Sequence, residues 1–205
     1  MITRTFALSA IACFALSSAT LAQTATETAD ESKPIAPIET DLNMGEDADV
    51  PQVGQTYIRE NEQDWEIQCI RGEADAEAEE PCQMYQLLKD DEGNSVAEVS
   101  IFRLPAGGQA IAGATVVVPL ETSLQAQLRI SVDGAQGKRY PYSFCNPIGC
   151  FARIGLTKGD VDGFKRGASA TVTIVPFLAP DQKVDLNMSL KGFTAGYDKS
   201  SVVTQ

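Results

Sequence analysis

The chain has 205 residues, with 28 Asp and Glu against 16 Lys and Arg, a net charge of −12, five cysteines and no histidine. Without imidazole there is no Ser-His-Asp or Cys-His nucleophile, and no zinc or haem held by histidine. The surplus of acid argues against nucleic acid, whose phosphates need clustered Lys and Arg, and against docking on anionic lipid.

Residues 1–22 read as a cleaved export signal: Arg4 supplies the positive start, Phe6 to Leu16 an apolar core, and Thr20-Leu21-Ala22 a small-residue cleavage site before Gln23. The apolar run is shorter than the roughly 18 residues that cross a bilayer, and no second such run follows, so no transmembrane span is expected. Cys13 would leave with the signal, and Cys69, Cys82, Cys145 and Cys150 would remain. An even set of cysteines after an export signal reads as disulfides formed in an oxidising compartment. Four cysteines allow three connectivities, and nearness in sequence favours Cys69–Cys82 and Cys145–Cys150. Cys145-Asn-Pro-Ile-Gly-Cys150 separates its cysteines by more than the two residues of a thioredoxin-type redox motif, so a structural bridge is expected there.

Residues 23–56 carry Glu27, Asp30, Glu31, Glu39, Asp41, Glu46, Asp47 and Asp49 against the single base Lys33, and no aromatic residue. Such a segment cannot bury enough apolar surface to offset its ordering entropy, and it reads as a disordered acidic tether. From Tyr57 the pattern changes to period-two alternation, the mark of half-buried strands. Trp65, Ile67 and Cys69 alternate with Glu66 and Gln68, and strands are predicted next over 82–89, 95–103 and 112–118. Leu128, Ile130 and Val132 alternate with polar residues, and further strands are predicted over 138–144 and 150–156. A short helix over 158–166 closes at Gly167 and is followed by strands over 170–177 and 184–190. Gly93, Pro105-Ala-Gly-Gly108, Asp133-Gly134, Gly137 and Pro180 mark the turns between them. About nine short strands and one short helix, with no βαβ rhythm, predict an all-β chain: an antiparallel β-sandwich stapled by two disulfides. Trp65 shares a strand face with Cys69, so its indole is expected in the core beside a bridge.

Little in the pattern speaks of catalysis, and no cofactor is expected. Glu73, Asp75, Glu77, Glu79 and Glu80 crowd the loop between Cys69 and Cys82, but the loop lacks the glycine turn and mixed Asp and Asn of a calcium cage. Asp160-Val-Asp162-Gly163 resembles part of a calcium loop without its third oxygen residue or terminal glutamate, and reads as a helix start or turn. Pro105-Ala-Gly-Gly108 lacks the Lys of a phosphate loop. Paired carboxylates acting as a small periplasmic hydrolase are the enzymatic alternative, and they require a pocket with one raised carboxylate pKa. The most interaction-like segment is Lys138-Arg139-Tyr140-Pro141-Tyr142-Ser143-Phe144. Arg139 would show on one face and Tyr140 and Tyr142 on the other, with Pro141 favouring a sheet edge open to a protein or glycan partner.

Several fragments, in this order and spacing, resemble the invasion-associated locus B family of exported bacterial proteins. They are Trp65-Glu-Ile-Gln-Cys69, Cys82-Gln-Met-Tyr-Gln86, Val118-Pro119-Leu120 and Ile130-Ser-Val-Asp133-Gly134. Phe144-Cys145-Asn-Pro-Ile-Gly149-Cys150-Phe151-Ala152 and Ser189-Leu190-Lys191-Gly192-Phe193-Thr194-Ala195 complete the set. The resemblance covers about residues 60–198, which makes 57–200 a domain of that type. It implies a periplasmic, outer-membrane-associated or secreted protein of Gram-negative bacteria. It also implies a binding role at the envelope or a host surface, with no enzymatic activity and no catalytic residues to carry over. An envelope assembly or chaperone factor is the remaining alternative. The chain departs from the pattern at Glu121-Thr-Ser, where the family often has glycine, and in the acidic stretch between Cys69 and Cys82.

Overall fold

The structure is a computed structural model that describes residues 45, 47–73 and 79–203. The expected export signal, and the tether up to Met44, lie outside the described residues. All the elements belong to the unit Glu46–Gln205.

Among the described residues, eleven strands and two α-helices follow one another. The first five strands are β1 (Thr56–Glu62), β2 (Trp65–Ile70), β3 (Cys82–Lys89), β4 (Ser95–Arg103) and β5 (Ala112–Val118). A 3-10 turn at Leu124–Ala126 leads to β6 (Leu128–Val132), β7 (Lys138–Tyr140), β8 (Phe144–Asn146) and β9 (Gly149–Leu156). Helix α1 (Lys158–Arg166), β10 (Ser169–Ile174), β11 (Val184–Ser189) and helix α2 (Phe193–Lys199) complete the domain. One sheet has seven strands in the order β1-β2-β3-β4-β5-β9-β8, and the other has four in the order β11-β10-β6-β7. Every strand pair is antiparallel, so the predicted class holds.

Alternation places the core as the sequence requires. Trp65, Ile67 and Cys69 of β2, Met84 and Leu88 of β3, Val99 and Ile101 of β4, and Val116 of β5 are buried on one face of the large sheet. Leu128 of β6, Val172 of β10, and Leu186 and Met188 of β11 are buried from the small sheet, joined by Val161 and Phe164 of α1 and Phe193 of α2. The turn after β6 has Asp133 at φ 46° and Gly134 at φ 74°. Two successive positive φ values suit the tight turn closed by Ala135 N–H donating to Val132 O at 2.8 Å, inside the longer loop to β7. The Asp133 carboxylate also accepts the backbone N–H groups of Ala168 and Ser169, tying the turn to the start of β10.

Three local expectations change. The run 138–144 is two strands, not one: β7 lies at an edge of the small sheet and β8 at an edge of the large one. Pro141 sits between them, where its missing N–H ends one ladder before the next begins. Strand β1 adds an outer edge beyond the predicted set, and its approach is held by Gly54 N–H donating to Arg71 O and Arg71 N–H donating to Gln55 O. A second helix, α2, follows the last predicted strand, with Gly192 as its N-cap, where the sequence predicts only one helix.

Cys69 joins Cys82, and Cys145 joins Cys150. Each bridge links residues directly opposite on neighbouring strands, β2 with β3 and β8 with β9. The first closes a sequence separation of 13 and the second only 5. Loop entropy then assigns about 3 kcal/mol to the first bridge and about 2 kcal/mol to the second. Urea denaturation of the Cys69→Ser/Cys82→Ser and Cys145→Ser/Cys150→Ser double variants should show the larger loss for the first pair. Cys69 and Cys82 are also both buried, which adds to that difference. Equal midpoints would contradict this ranking.

Candidate functional site

The segment singled out from sequence connects the two sheets. Arg139 is exposed on edge strand β7, while Tyr140 and Tyr142 are half-buried with their rings packed against the core. Burial pushes both phenols up to about 12, and the Asp160 carboxylate adds to the rise at Tyr140. The Tyr142 hydroxyl is buried and makes no hydrogen bond among the described residues. Tyr140 therefore has a wall to offer a ligand, whereas Tyr142 serves mainly as packing.

Tyr140 forms one wall of a groove of about 180 Å³ between the small sheet and α1, with Lys138 and Gln136 beside it and Gly159, Asp160 and Gly163 opposite. The two glycines leave the helix side bare: a Cβ at Gly163 would meet nothing within 4 Å, and one at Gly159 only Thr157 Oγ1 at 3.8 Å. Lys138 Nζ reaches Asp160 Oδ1 at 2.5 Å across the groove. An aromatic wall facing a carboxylate and an ammonium in a narrow cleft is suited to a polar ligand with a flat apolar face.

Asp160 also starts the helix. Thr157 is the N-cap, accepting from Asp160 N–H, and the Asp160 side chain accepts from Thr157 N–H at 3.0 Å and from its hydroxyl at 2.7 Å. The pair is a capping box with Asp in the glutamate position. Burial acts to raise the Asp160 pKa, but the hydrogen bonds from Lys138 and Thr157 and the Lys138 charge outweigh it and hold the carboxyl below its ordinary value. A depressed folded pKa gives stability that is present above the unfolded value near 3.8 and lost as pH falls through the lower folded value. Asp160→Ala is expected to lose about 1 kcal/mol at pH 7. The difference from the parent should shrink as pH falls below the unfolded value near 3.8 in urea denaturation. A gap independent of pH would show that the carboxylate charge is not involved.

The calcium readings find other uses for their carboxylates. Asp160 and Asp162 belong to α1, where Asp162 pairs with Lys158 at 2.6 Å. Glu80 accepts from the Tyr57 hydroxyl, from Gly72 N–H at 3.1 Å and from Arg71 at 3.1 Å, which hold its carboxyl below the ordinary range. Asp75 and Glu77 lie outside the described residues. Among the described residues, no three acids or cysteines are grouped to hold a metal ion.

An acidic groove of about 560 Å³ beside β3 and β11 is lined by Asp64, Asp90, Asp91 and Asp185. Here Asp64 accepts from Ser189 Oγ at 2.5 Å, Asp185 from Thr173 Oγ1 at 2.5 Å, and Asp90 is lowered by the Asn94 side chain and backbone N–H. A general acid at neutral pH needs a raised carboxylate. Among the described residues the displaced carboxyls, Glu60, Glu80, Asp90, Asp160 and Asp162, all move down.

One surface escapes the sequence patterns. Leu120, Leu124, Ile148, Phe177 and Leu178 are exposed around the Cys145–Cys150 bridge, with Phe144 next to it on β8. A signal for it was present, because Leu120, Ile148 and Phe177 each directly follow a proline (Pro119, Pro147 and Pro176). An apolar residue just after a turn proline falls outside strand alternation and tends to face solvent.

Together these features define a disulfide-stapled β-sandwich that offers an edge segment, a narrow groove and one apolar end. The chain belongs to the family described as "Invasion associated locus B (IalB) protein", whose model matches residues 65–201. It is similar to the "Invasion protein B homolog" of Brucella abortus strain 2308, at 28% identity over 152 residues, covering 74% of this chain and 84% of that protein. The homologue of Brucella abortus biovar 1 strain 9-941 matches to the same extent. Among solved structures it resembles the invasion associated protein B of Bartonella henselae, with a TM-score of 0.53 and 22% identity. That match covers 70% of this chain and 91% of the Bartonella chain, and it supports the fold.

Proposed function

We propose that this chain is an exported protein that works by binding rather than by catalysis, taking a protein or glycan partner at the bacterial envelope or a host surface. The observation that carries the reading is the groove in which Tyr140 faces Asp160 and the bare glycines of α1, while Arg139 is exposed on the other face of edge strand β7. Invasion-associated kin and an export-type leader support the setting, and the two disulfides suit an oxidising compartment. The mechanism is presentation: the small sheet and α1 hold the groove in shape, so binding requires little ordering.

Gly163→Leu tests this reading with the fold left intact, because the added side chain enters open space and leucine is a better helix residue than glycine. Capture of crosslinked partners from envelope extracts and host-cell membranes should fall at least tenfold in Gly163→Leu and in Arg139→Glu. Unaltered capture in both variants would remove the groove as the binding site. Purified glycans restoring or competing for capture would separate a sugar partner from a protein.

A further inference from the structure

A second surface, distinct from the Tyr140 groove, has a composition that fits a bilayer. We propose that the apolar end around Cys145–Cys150 docks on the surface of uncharged, zwitterionic lipid. The relevant side chains stand on three separate turns: Leu120 and Leu124 after β5, Ile148 at the tip of the β8–β9 hairpin, and Phe177 and Leu178 after β10. Exposure is greatest at the tips, with Ile148 at 79%, Leu178 at 82% and Phe177 at 69%. They flank a groove of about 720 Å³ in which, among the described residues, Glu121 is the only charged one lining it.

The three turns are fastened to one another. Ser123 N–H donates to Val175 O at 2.7 Å and Phe177 N–H to Glu121 O at 2.7 Å, while Thr122 bridges Pro176. Asn146 Oδ1 accepts from Ile148 N–H at 2.9 Å, and the Cys145–Cys150 bond closes that hairpin. Gly149 lies against β5, so close that a Cβ there would come within 2.5 Å of Val118 O. Held in this way, the side chains insert without first being ordered, and the apolar area they bury drives binding.

Lipid is favoured over other occupants on three grounds. Strand β8 offers only three residues to an added strand, and short edges resist such pairing. The lining contains no Trp, Tyr or Arg, the residues that anchor protein hot spots. It contains no Lys or Arg either, and the chain carries −12 overall, so anionic headgroups would repel it while neutral ones would not.

Flotation of the purified chain with neutral phosphatidylcholine–phosphatidylethanolamine vesicles tests the proposal. Binding should be equal at low and high salt. Ile148→Asp or Leu178→Asp should each lower partition about tenfold or more, given the value of burying one large aliphatic side chain. Val53→Asp, at an exposed position outside the patch, should leave it unchanged and controls for added charge. Thermal midpoints of all three variants should match the parent. Absence of flotation, flotation abolished by salt, or flotation indifferent to Ile148 and Leu178 would overturn the proposal. A dimer in sedimentation velocity that the same substitutions dissolve, without vesicle binding, would assign the patch to a second copy and also overturn it.

Discussion

Trp65→Ala is expected to remove about 3–5 kcal/mol of folding stability, the largest loss from any single side chain in the domain. Trp65 is the only tryptophan in the chain and is fully buried. Its ring meets Phe193 edge to face at 5.7 Å, and its Nε1–H donates to Ser189 O at 2.9 Å. That carbonyl also accepts from Gln86, whose side chain donates to Asp64 O and accepts from Ser189 N–H. One indole thus ties β2 of the large sheet to the end of β11 in the small one, through hydrogen bonds that share the Ser189 carbonyl. Small domains hold only about 5–15 kcal/mol in total, so the variant should be substantially destabilised. Circular dichroism during urea denaturation reads the effect without needing the lost fluorophore. Trp65→Phe, which keeps a ring and loses the donor, should fall between the two. A loss below about 1 kcal/mol for alanine would mean the core can collapse around the gap.

Gly192→Ala is expected to cost about 3 kcal/mol or more, although it adds one carbon. Gly192 has φ 82°, a left-handed conformation that strains an L side chain. The added Cβ would lie 1.9 Å from Glu62 O, which is backbone and part of β1. Either β1 moves or the start of α2 moves, and with it Phe193, which packs between Trp65, Phe164 and Tyr197. Gly163→Ala is the matched control, because its Cβ meets open space inside a helix and should be neutral or stabilising. Similar denaturation midpoints for the two alanine variants would refute the claim that close approach, rather than glycine as such, sets the requirement at 192.

Much of the domain was legible beforehand because its signals are local. Alternation named the buried faces of β2, β6 and β11, and the helix predicted over 158–166 stops at Gly167 as read. The split of 138–144 was less legible: a period-two run looks the same whether its ends join one sheet or two, and Pro141 marks an edge without saying which. Helix α2 was hidden because Gly192-Phe193 resembles a strand end until Glu62 O is found where a side chain would go. Of the proposed binding segment, the sequence singled out Arg139, Tyr140 and Tyr142. Only packing showed that Tyr140 lines a groove and that the Tyr142 hydroxyl is buried.

The amino-acid sequence by itself determined the strand faces, the disulfide-bearing hairpins and the kinship, since each depends on residue type at short spacing. The tertiary structure alone decided which edges the segment around Pro141 supplies, what Trp65 bonds to, and that three proline-led turns meet in one apolar end. Those outcomes join Ser189 to Trp65 and Pro176 to Thr122 across long stretches of chain. They depend on how two sheets stack, which no local pattern encodes.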